Sequence, residues 1–104
     1  MAYRPLAPLG AIPVQARVVR DGNLFTGGGI TAGIDFALTL AAELYSEAAA
    51  QLVQLQIEYA PAPPFDAGSP ATAPEHVLEE ANKRTAESRR VRGEIVARAA
   101  ARLD

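Results

Sequence analysis

Several residue types are missing or scarce in this chain of 104 residues, and each absence excludes a class of site. The sequence contains no cysteine and no tryptophan, and it has one histidine, His76. Without cysteine there is no disulfide and no thiolate metal site. His76 lies between Glu75 and Glu79 with no second strong ligand and no nucleophile motif nearby, so neither a metal site nor a Ser-His-Asp arrangement is assigned. We therefore predict no metal, no cofactor and no catalytic residue within the chain.

Long apolar runs and a large net charge are also missing. No run approaches the roughly 20 apolar residues that cross a bilayer, and a net charge of -2 gives no general attraction to nucleic acid or to an anionic membrane. Basic residues are concentrated in residues 83–104, but Glu80 with Arg84 and Glu94 with Arg98 have the order typical of a solvated helix face. The first residues lack the apolar stretch of a secretory signal. We expect a cytoplasmic protein with neither membrane nor nucleic acid as partner.

The most informative segment is a hairpin signal followed by three glycines and an apolar helix. Asp21-Gly22 between β-rich flanks predicts a two-residue turn that joins strands at residues 14–19 and 24–26. Three glycines follow, and a helix is expected over residues 31–44 with Thr31 or a neighbour as its cap. Because this helix is apolar around nearly its whole circumference, we expect it to be buried.

The remaining elements follow from caps and prolines. A helical turn is expected around residues 6–9, and Ser46 is expected to cap a helix that ends near residue 59. A proline-rich connector covers residues 61–73, after which Thr72-Ala73-Pro74-Glu75 fits a capping box that opens a helix to about residue 102. We therefore divide the chain into residues 1–60, 61–73 and 74–104. The last helix carries a weakly apolar stripe that consists of Val77, Ala81, Thr85, Ser88, Val91, Ile95 and Ala99.

Five short motifs along the chain form a set. They are Leu-Gly-Ala-Ile-Pro-Val at residues 9–14, the hairpin and glycine segment at residues 18–38, Ala-Ala-Glu-Leu at residues 41–44, the stretch from Gln54 to Phe65, and Ala-Gly-Ser-Pro at residues 67–70. Together they resemble the C-terminal portion of the PfpI superfamily, which has the class I glutamine amidotransferase-like fold, and in particular its isonitrile hydratase branch. The resemblance covers nearly the whole chain.

The resemblance implies an α/β fold of which this chain is an incomplete C-terminal part. The intact fold is a parallel α/β sandwich, and this chain supplies a β-hairpin plus three helices, mostly helical by residue count. The family's cysteine nucleophile and its acidic assistant belong to the part that is not represented here. Its usual histidine falls just before the segment matching Ala2-Tyr3, where this sequence has Met1. We expect such a chain to self-associate as a homo-oligomer or to bind a complementary N-terminal fragment.

We therefore consider three hypotheses for the function. The resemblance implies a truncated isonitrile hydratase-like lyase, whose full-length parent hydrates isonitriles to N-substituted formamides while this chain alone is inactive. The alternative is a non-catalytic module for protein interaction or self-association. A third reading is the ligand-sensing domain of a transcription regulator, against which the lack of a helix-turn-helix segment argues.

Two groups of residues are candidates for lining a pocket. Asp35 lies in the first turns of the apolar helix, where it either lines a pocket or has a structural role, stabilising the helix N-terminus or pairing with an arginine such as Arg20. We favour the structural role, because one carboxylate without a base or nucleophile makes no catalytic arrangement. Thr26, Gly27, Gly28 and Gly29 either form a backbone nest for an anion or make a turn that needs glycine for steric reasons only.

Overall fold

The computed structural model describes residues 4–103. The predicted set of elements, a hairpin plus three helices with most structured residues helical, is confirmed. The described residues fall into two compact units, one formed by Val14–Pro61 and the other by residues 4–13 and 62–103. In chain order the elements are a short 3-10 helix at Arg4–Leu9, strands β1 at Val18–Asp21 and β2 at Leu24–Gly27, and helices α1 at Ala32–Leu44, α2 at Glu47–Gln56 and α3 at Glu75–Ala101.

The hairpin is shorter than predicted, and its turn is shifted by one residue. β1 and β2 pair antiparallel from Val18 opposite Gly27 to Asp21 opposite Leu24. Because Asp21 is the last paired residue, the two central turn residues are Gly22 and Asn23 and not Asp21-Gly22. Gly22 has a φ of +61°. A turn whose first central residue has positive φ favours glycine at that position. Residues 14–17 are not part of β1, because β2 ends at Gly27 and offers them no strand partner.

Helix α1 packs against α2 and against both strands of the hairpin. Thr31 is its N-cap residue but has helical φ and ψ, and its side chain makes no capping hydrogen bond. The expectation that α1 is buried is not met within residues 4–103. Among residues 6–103 only Ala32 and Ala50 are buried, whereas Ile34 and Leu44 are exposed. Two short strands and one helix cover too little of a helix that is apolar on all sides.

Both ends of α2 are defined by hydrogen bonds. The Ala49 N–H donates to Ser46 Oγ at 3.0 Å, so the predicted Ser46 cap is confirmed. The helix ends at Gln56, three residues earlier than predicted. It ends there because Glu58 adopts the left-handed region with φ +52°, a conformation that closes a helix and cannot continue it.

The second unit consists mainly of α3, which packs on the 3-10 helix. The predicted capping box is wrong: Pro74 is the N-cap residue, and no side chain caps α3. The Thr72 hydroxyl instead forms a 3.0 Å hydrogen bond with the Ser69 hydroxyl, which places it in the preceding turn. The half-buried side of α3 overlaps the predicted stripe only in part, and it consists of Leu78, Ala81, Asn82, Thr85, Val96, Ala99 and Ala100.

Charged side chains on α3 pair along the helix surface. Arg84 pairs with Glu80 at 2.7 Å as the spacing predicts, but Glu94 pairs with Arg90 and not with Arg98. Arg90 also contacts Glu87, at 2.6 Å. Across the part of the chain that the structure describes, no helix has both the length and the hydrophobicity needed to cross a membrane.

Candidate functional site

Three polar side chains meet at the N-terminal end of α1, within the unit formed by residues 14–61. The Tyr59 hydroxyl donates to Asp35 Oδ1 at 2.5 Å, and Arg17 Nε donates to Asp35 Oδ2. Arg17 immediately precedes β1, Asp35 is in the first turn of α1, and Tyr59 follows the end of α2. The Asp35 side chain is 27% exposed and that of Arg17 is 56% exposed. Asp35 therefore connects three segments and uses both of its oxygens to do so; we refer to these three residues as the Asp35 cluster.

The hydrogen bonds of the Asp35 cluster stabilise the ionised carboxylate. The Tyr59 hydroxyl, followed by the Arg17 guanidinium, lowers the pKa of Asp35 below its ordinary value. The same hydrogen bond, with partial burial, raises the pKa of Tyr59, and the contact with Asp35 raises the pKa of Arg17. At neutral pH the cluster thus holds one anion, one cation and one neutral phenol. A carboxylate stabilised in this way is a poor general base, so the geometry favours a structural role.

Asp35 does pair with an arginine, but the predicted partner Arg20 is wrong and the partner is Arg17. Arg20 instead makes a bidentate contact with Glu43 of α1, with both N–O distances at 2.8 Å. Its Nε donates to the Gly22 carbonyl at 3.0 Å, and its guanidinium lies 5.0 Å from the centre of the Phe25 ring. Which arginine reaches Asp35 depends on how the hairpin is placed along α1, and that placement is not visible in a single sequence.

Of the three glycines at residues 27–29, only Gly28 lies in a place too tight for a side chain. The Gly28 N–H donates to the Arg17 carbonyl at 2.8 Å, and a Cβ at Gly28 would lie 2.8 Å from the Ala16 carbonyl oxygen. Gly28 is therefore required for steric reasons, since real Cβ atoms do not approach backbone oxygen that closely. At Gly27 a Cβ would make an ordinary 3.5 Å contact with Phe36, and at Gly29 it would meet nothing within 4 Å.

The three glycines do not form the type of anion nest that alternates right-handed and left-handed backbone. None of Gly27, Gly28 and Gly29 has positive φ, and the Gly28 N–H is already bonded to the Arg17 carbonyl. Thr26 lies in β2 opposite Val19. Whether Thr26, the three glycines and Asp35 line a pocket in a longer protein stays a prediction.

Sequence reasoning missed Arg17 and Tyr59 as members of the site. Tyr59 belongs to the stretch from Gln54 to Phe65 that carries part of the family resemblance, but no periodic pattern marks its hydroxyl as a partner of Asp35. His76 lies in the first turn of α3. Within residues 4–103 no three side chains of His, Asp or Glu are grouped so that they could hold a metal ion.

Comparison with solved structures defines the class of protein. A crystal structure of a ThiJ/PfpI family protein from Pseudomonas syringae matches 91% of the chain with a TM-score of 0.84 and 47% sequence identity, and the chain covers 39% of that protein. The hairpin and three helices thus match part of a ThiJ/PfpI α/β fold. No protein-family model matches the chain.

Comparison with curated proteins shows which ThiJ/PfpI enzyme the chain is similar to. The chain is 71% identical over 104 residues to an isonitrile hydratase from Pseudomonas putida, and the match takes in 99% of this chain. It spans 46% of the length of that enzyme. The predicted resemblance to the isonitrile hydratase branch of the PfpI superfamily is therefore confirmed.

Proposed function

We propose that the chain is a part of an isonitrile hydratase-like protein and that it supplies scaffold without the reacting nucleophile. The observation that carries this proposal is the 71% identity to isonitrile hydratase in a sequence that has no cysteine. In the complete protein the reaction would add water to an isonitrile and give an N-substituted formamide, through a cysteine nucleophile as the family resemblance implies. That cysteine has to come from outside these 104 residues.

Within such a protein, the segment around Gly28 and the Asp35 cluster would form one border of the pocket. Two observations support this role. The Gly28 N–H donates to the Arg17 carbonyl at 2.8 Å and a Cβ there would meet the Ala16 carbonyl oxygen, so the segment after β2 is held against the residues before β1. Asp35 is held as an anion by two donors and so fixes the first turn of α1 beside that segment. These residues would shape the pocket, and they would not exchange protons with the substrate.

An activity assay tests the proposal directly. The purified chain is incubated with a simple alkyl isonitrile, and the formamide product is measured by chromatography, with the isonitrile hydratase of Pseudomonas putida as positive control. We expect no product above the buffer background. Clear turnover by the 104-residue chain would contradict a scaffold role.

A complementation assay provides the second half of the test. The part of the Pseudomonas putida enzyme that this chain does not match is produced separately and mixed with the chain. Turnover by the mixture, with none from either component, is the result expected if the chain supplies the missing scaffold. A mixture in which the two polypeptides bind without turnover would argue against the hydratase assignment.

The second candidate function is an interaction or self-association module, and the exposed apolar side chains favour it. Ile30 is 99% exposed and Tyr45 is 81% exposed, and large apolar residues in both compact units are similarly open. Apolar surface of this kind is typical of a chain that is covered by a partner. The partner would be a second copy or the complementary part of the ThiJ/PfpI fold. Within residues 4–103 we find no feature in favour of the ligand-sensing alternative.

A further inference from the structure

Backbone hydrogen bonds hold Tyr59 in place independently of its side-chain contact with Asp35. The end of α2 forms a Schellman motif, in which the Glu58 N–H donates to the Leu55 carbonyl at 3.1 Å and the Tyr59 N–H donates to the Gln54 carbonyl at 3.0 Å. Gln54 Nε2 also donates to the Tyr59 carbonyl at 3.0 Å. Both backbone polar groups of Tyr59 are thus bonded to a single residue of α2.

The motif contains a residue in a costly conformation. Glu58 has a φ of +52° and is the one non-glycine residue with positive φ in the part of the chain that the structure describes. A side chain in the left-handed region costs conformational energy, and such positions occur where the exact direction of the chain matters. Here the left-handed residue turns the chain so that the next side chain, Tyr59, points to α1.

From Tyr59 a continuous series of hydrogen bonds leads to the glycine segment. The Tyr59 hydroxyl donates to Asp35, Asp35 accepts from Arg17 Nε, and the Arg17 carbonyl accepts from the Gly28 N–H at 2.8 Å. The series connects the end of α2, the first turn of α1, the residue before β1 and the residue after β2. Gly28 is the glycine at which a side chain would not fit, because a Cβ there would lie 2.8 Å from the Ala16 carbonyl oxygen.

Loss of the phenol hydroxyl would release this series from one end. Asp35 would keep one donor in place of two, and its carboxylate could then rotate toward water. Arg17, whose side chain is more than half exposed, would lose the fixed position of its partner. The Arg17 carbonyl and its bond to Gly28 would then be held by the backbone alone.

We propose that Tyr59 is a positioning residue that fixes the backbone of Gly28 through Asp35 and Arg17. It touches no reacting group in this proposal and acts only through its neighbours. The fixing of Gly28 stands on the contacts described above, whereas its importance for isonitrile hydration rests on the proposed function.

The test uses two tyrosine variants of the 104-residue chain that remove the same atom. Tyr59→Phe removes the hydroxyl that bonds Asp35, and Tyr45→Phe removes a hydroxyl from an exposed side chain just after α1. Hydrogen exchange of individual backbone amides is followed by NMR. The Ala50 amide in α2 is the internal reference, because Ala50 is buried and donates to Ser46.

We expect Tyr59→Phe to speed exchange of the Gly28 amide about tenfold relative to Ala50, the change that loss of one supporting hydrogen bond gives. A general loss of stability would speed exchange of the Gly28 and Ala50 amides equally. Tyr45→Phe should leave the ratio unchanged. An unchanged ratio in Tyr59→Phe, or an equal change in both variants, would overturn the proposal. Asp35→Asn breaks the charged contact to Arg17 and provides a second route to the same selective change if Tyr59→Phe does not fold.

An activity readout then separates this proposal from the proposed function. In the mixture with the complementary part of the Pseudomonas putida enzyme, Tyr59→Phe should lower kcat severalfold, whereas Tyr45→Phe should not. If the unsubstituted mixture shows no turnover, the proposed function fails, and the exchange ratio still decides whether Tyr59 positions Gly28. Wild-type kcat together with wild-type Gly28 exchange in Tyr59→Phe would exclude the positioning role.

Discussion

At the scale of single residues, Asp35 shows what a sequence can and cannot reveal. Its place in the first turn of an apolar helix indicated a structural carboxylate that pairs with an arginine, and the structure shows such a pair. The pattern could not distinguish Arg17 from Arg20, which are three residues apart beside the same helix. It gave no sign of Tyr59, because that contact depends on a left-handed residue at the end of α2.

The Asp35 cluster predicts a specific dependence of stability on pH. The pKa of Asp35 is lowered in the folded chain, chiefly by the Tyr59 hydroxyl and then by Arg17. Its stabilising contribution is thus present above the ordinary value of 3.8 and is lost as the pH falls through the lower folded pKa. We expect Asp35→Asn to lower the free energy of unfolding at neutral pH and to flatten its fall below pH 3.8, measured by urea unfolding.

Asp66→Asn is the matched control for this experiment, since Asp66 is an exposed aspartate in the connector. It should change neither the stability at neutral pH nor its dependence on acid. If Asp35→Asn left stability intact but abolished turnover in the complemented mixture, Asp35 would have a catalytic role and our structural assignment would be wrong.

At the scale of elements, the sequence predicted a helix end correctly only where the capping side chain has no competing hydrogen-bond partner. Ser46 caps α2 as predicted, because its hydroxyl has a free N–H three residues ahead and no competing partner. Thr72 fitted the capping pattern for α3 equally well, but its hydroxyl bonds Ser69 in a turn. The end of α2 was predicted three residues too late, because a glutamate takes the left-handed position that sequence rules reserve for glycine.

Replacing Glu58 by glycine should stabilise the chain. Glycine adopts the φ of +52° without steric cost, so Glu58→Gly is expected to raise the free energy of unfolding by about 1 kcal/mol. Gln51→Gly is the control in the middle of α2, where glycine should lower it by about 1 kcal/mol. The free energies of unfolding of both variants are to be measured from urea unfolding curves. Destabilisation by Glu58→Gly would mean that the glutamate side chain supports the Schellman motif.

Two arginine–carboxylate contacts fix how the hairpin lies on α1. Arg17 and Arg20 are about 10 Å apart along an extended chain, and Asp35 and Glu43 are about 12 Å apart along a helix. The two spacings are similar, so both contacts form in one arrangement of the hairpin and helix. A slip of one strand residue would break both.

At the scale of the whole molecule, the chain has elements of an α/β fold without the core of one. Ala32 and Ala50 are its only buried residues between positions 6 and 103, and a two-stranded hairpin is marginal in water on its own. The family resemblance predicted an incomplete part of an α/β fold, and the chain spans 46% of the length of the isonitrile hydratase that it matches. Ile34 and Leu44 of α1 are exposed, and no local pattern in the sequence could show what would cover them.

We expect the isolated chain to self-associate. Size-exclusion chromatography with light scattering should give a mass above the 10.9 kDa of one chain. The association should persist at about 1 M salt, because contacts between apolar surfaces survive the screening that weakens exposed ion pairs. Addition of the complementary part of the Pseudomonas putida enzyme should replace the self-association by a mixed complex. A stable monomer that unfolds cooperatively in urea would contradict this expectation.

The contact between Tyr59 and Asp35 also gives the molecule an optical signal of its own. With no tryptophan, the ultraviolet emission of the chain comes from its three tyrosines. A phenol that donates to a carboxylate at 2.5 Å can pass its proton to that carboxylate after it absorbs light, and this route competes with emission. Tyr59 should therefore be dim while the contact is intact and brighten when the contact opens. The state of this contact can be followed in a fluorimeter without an attached dye.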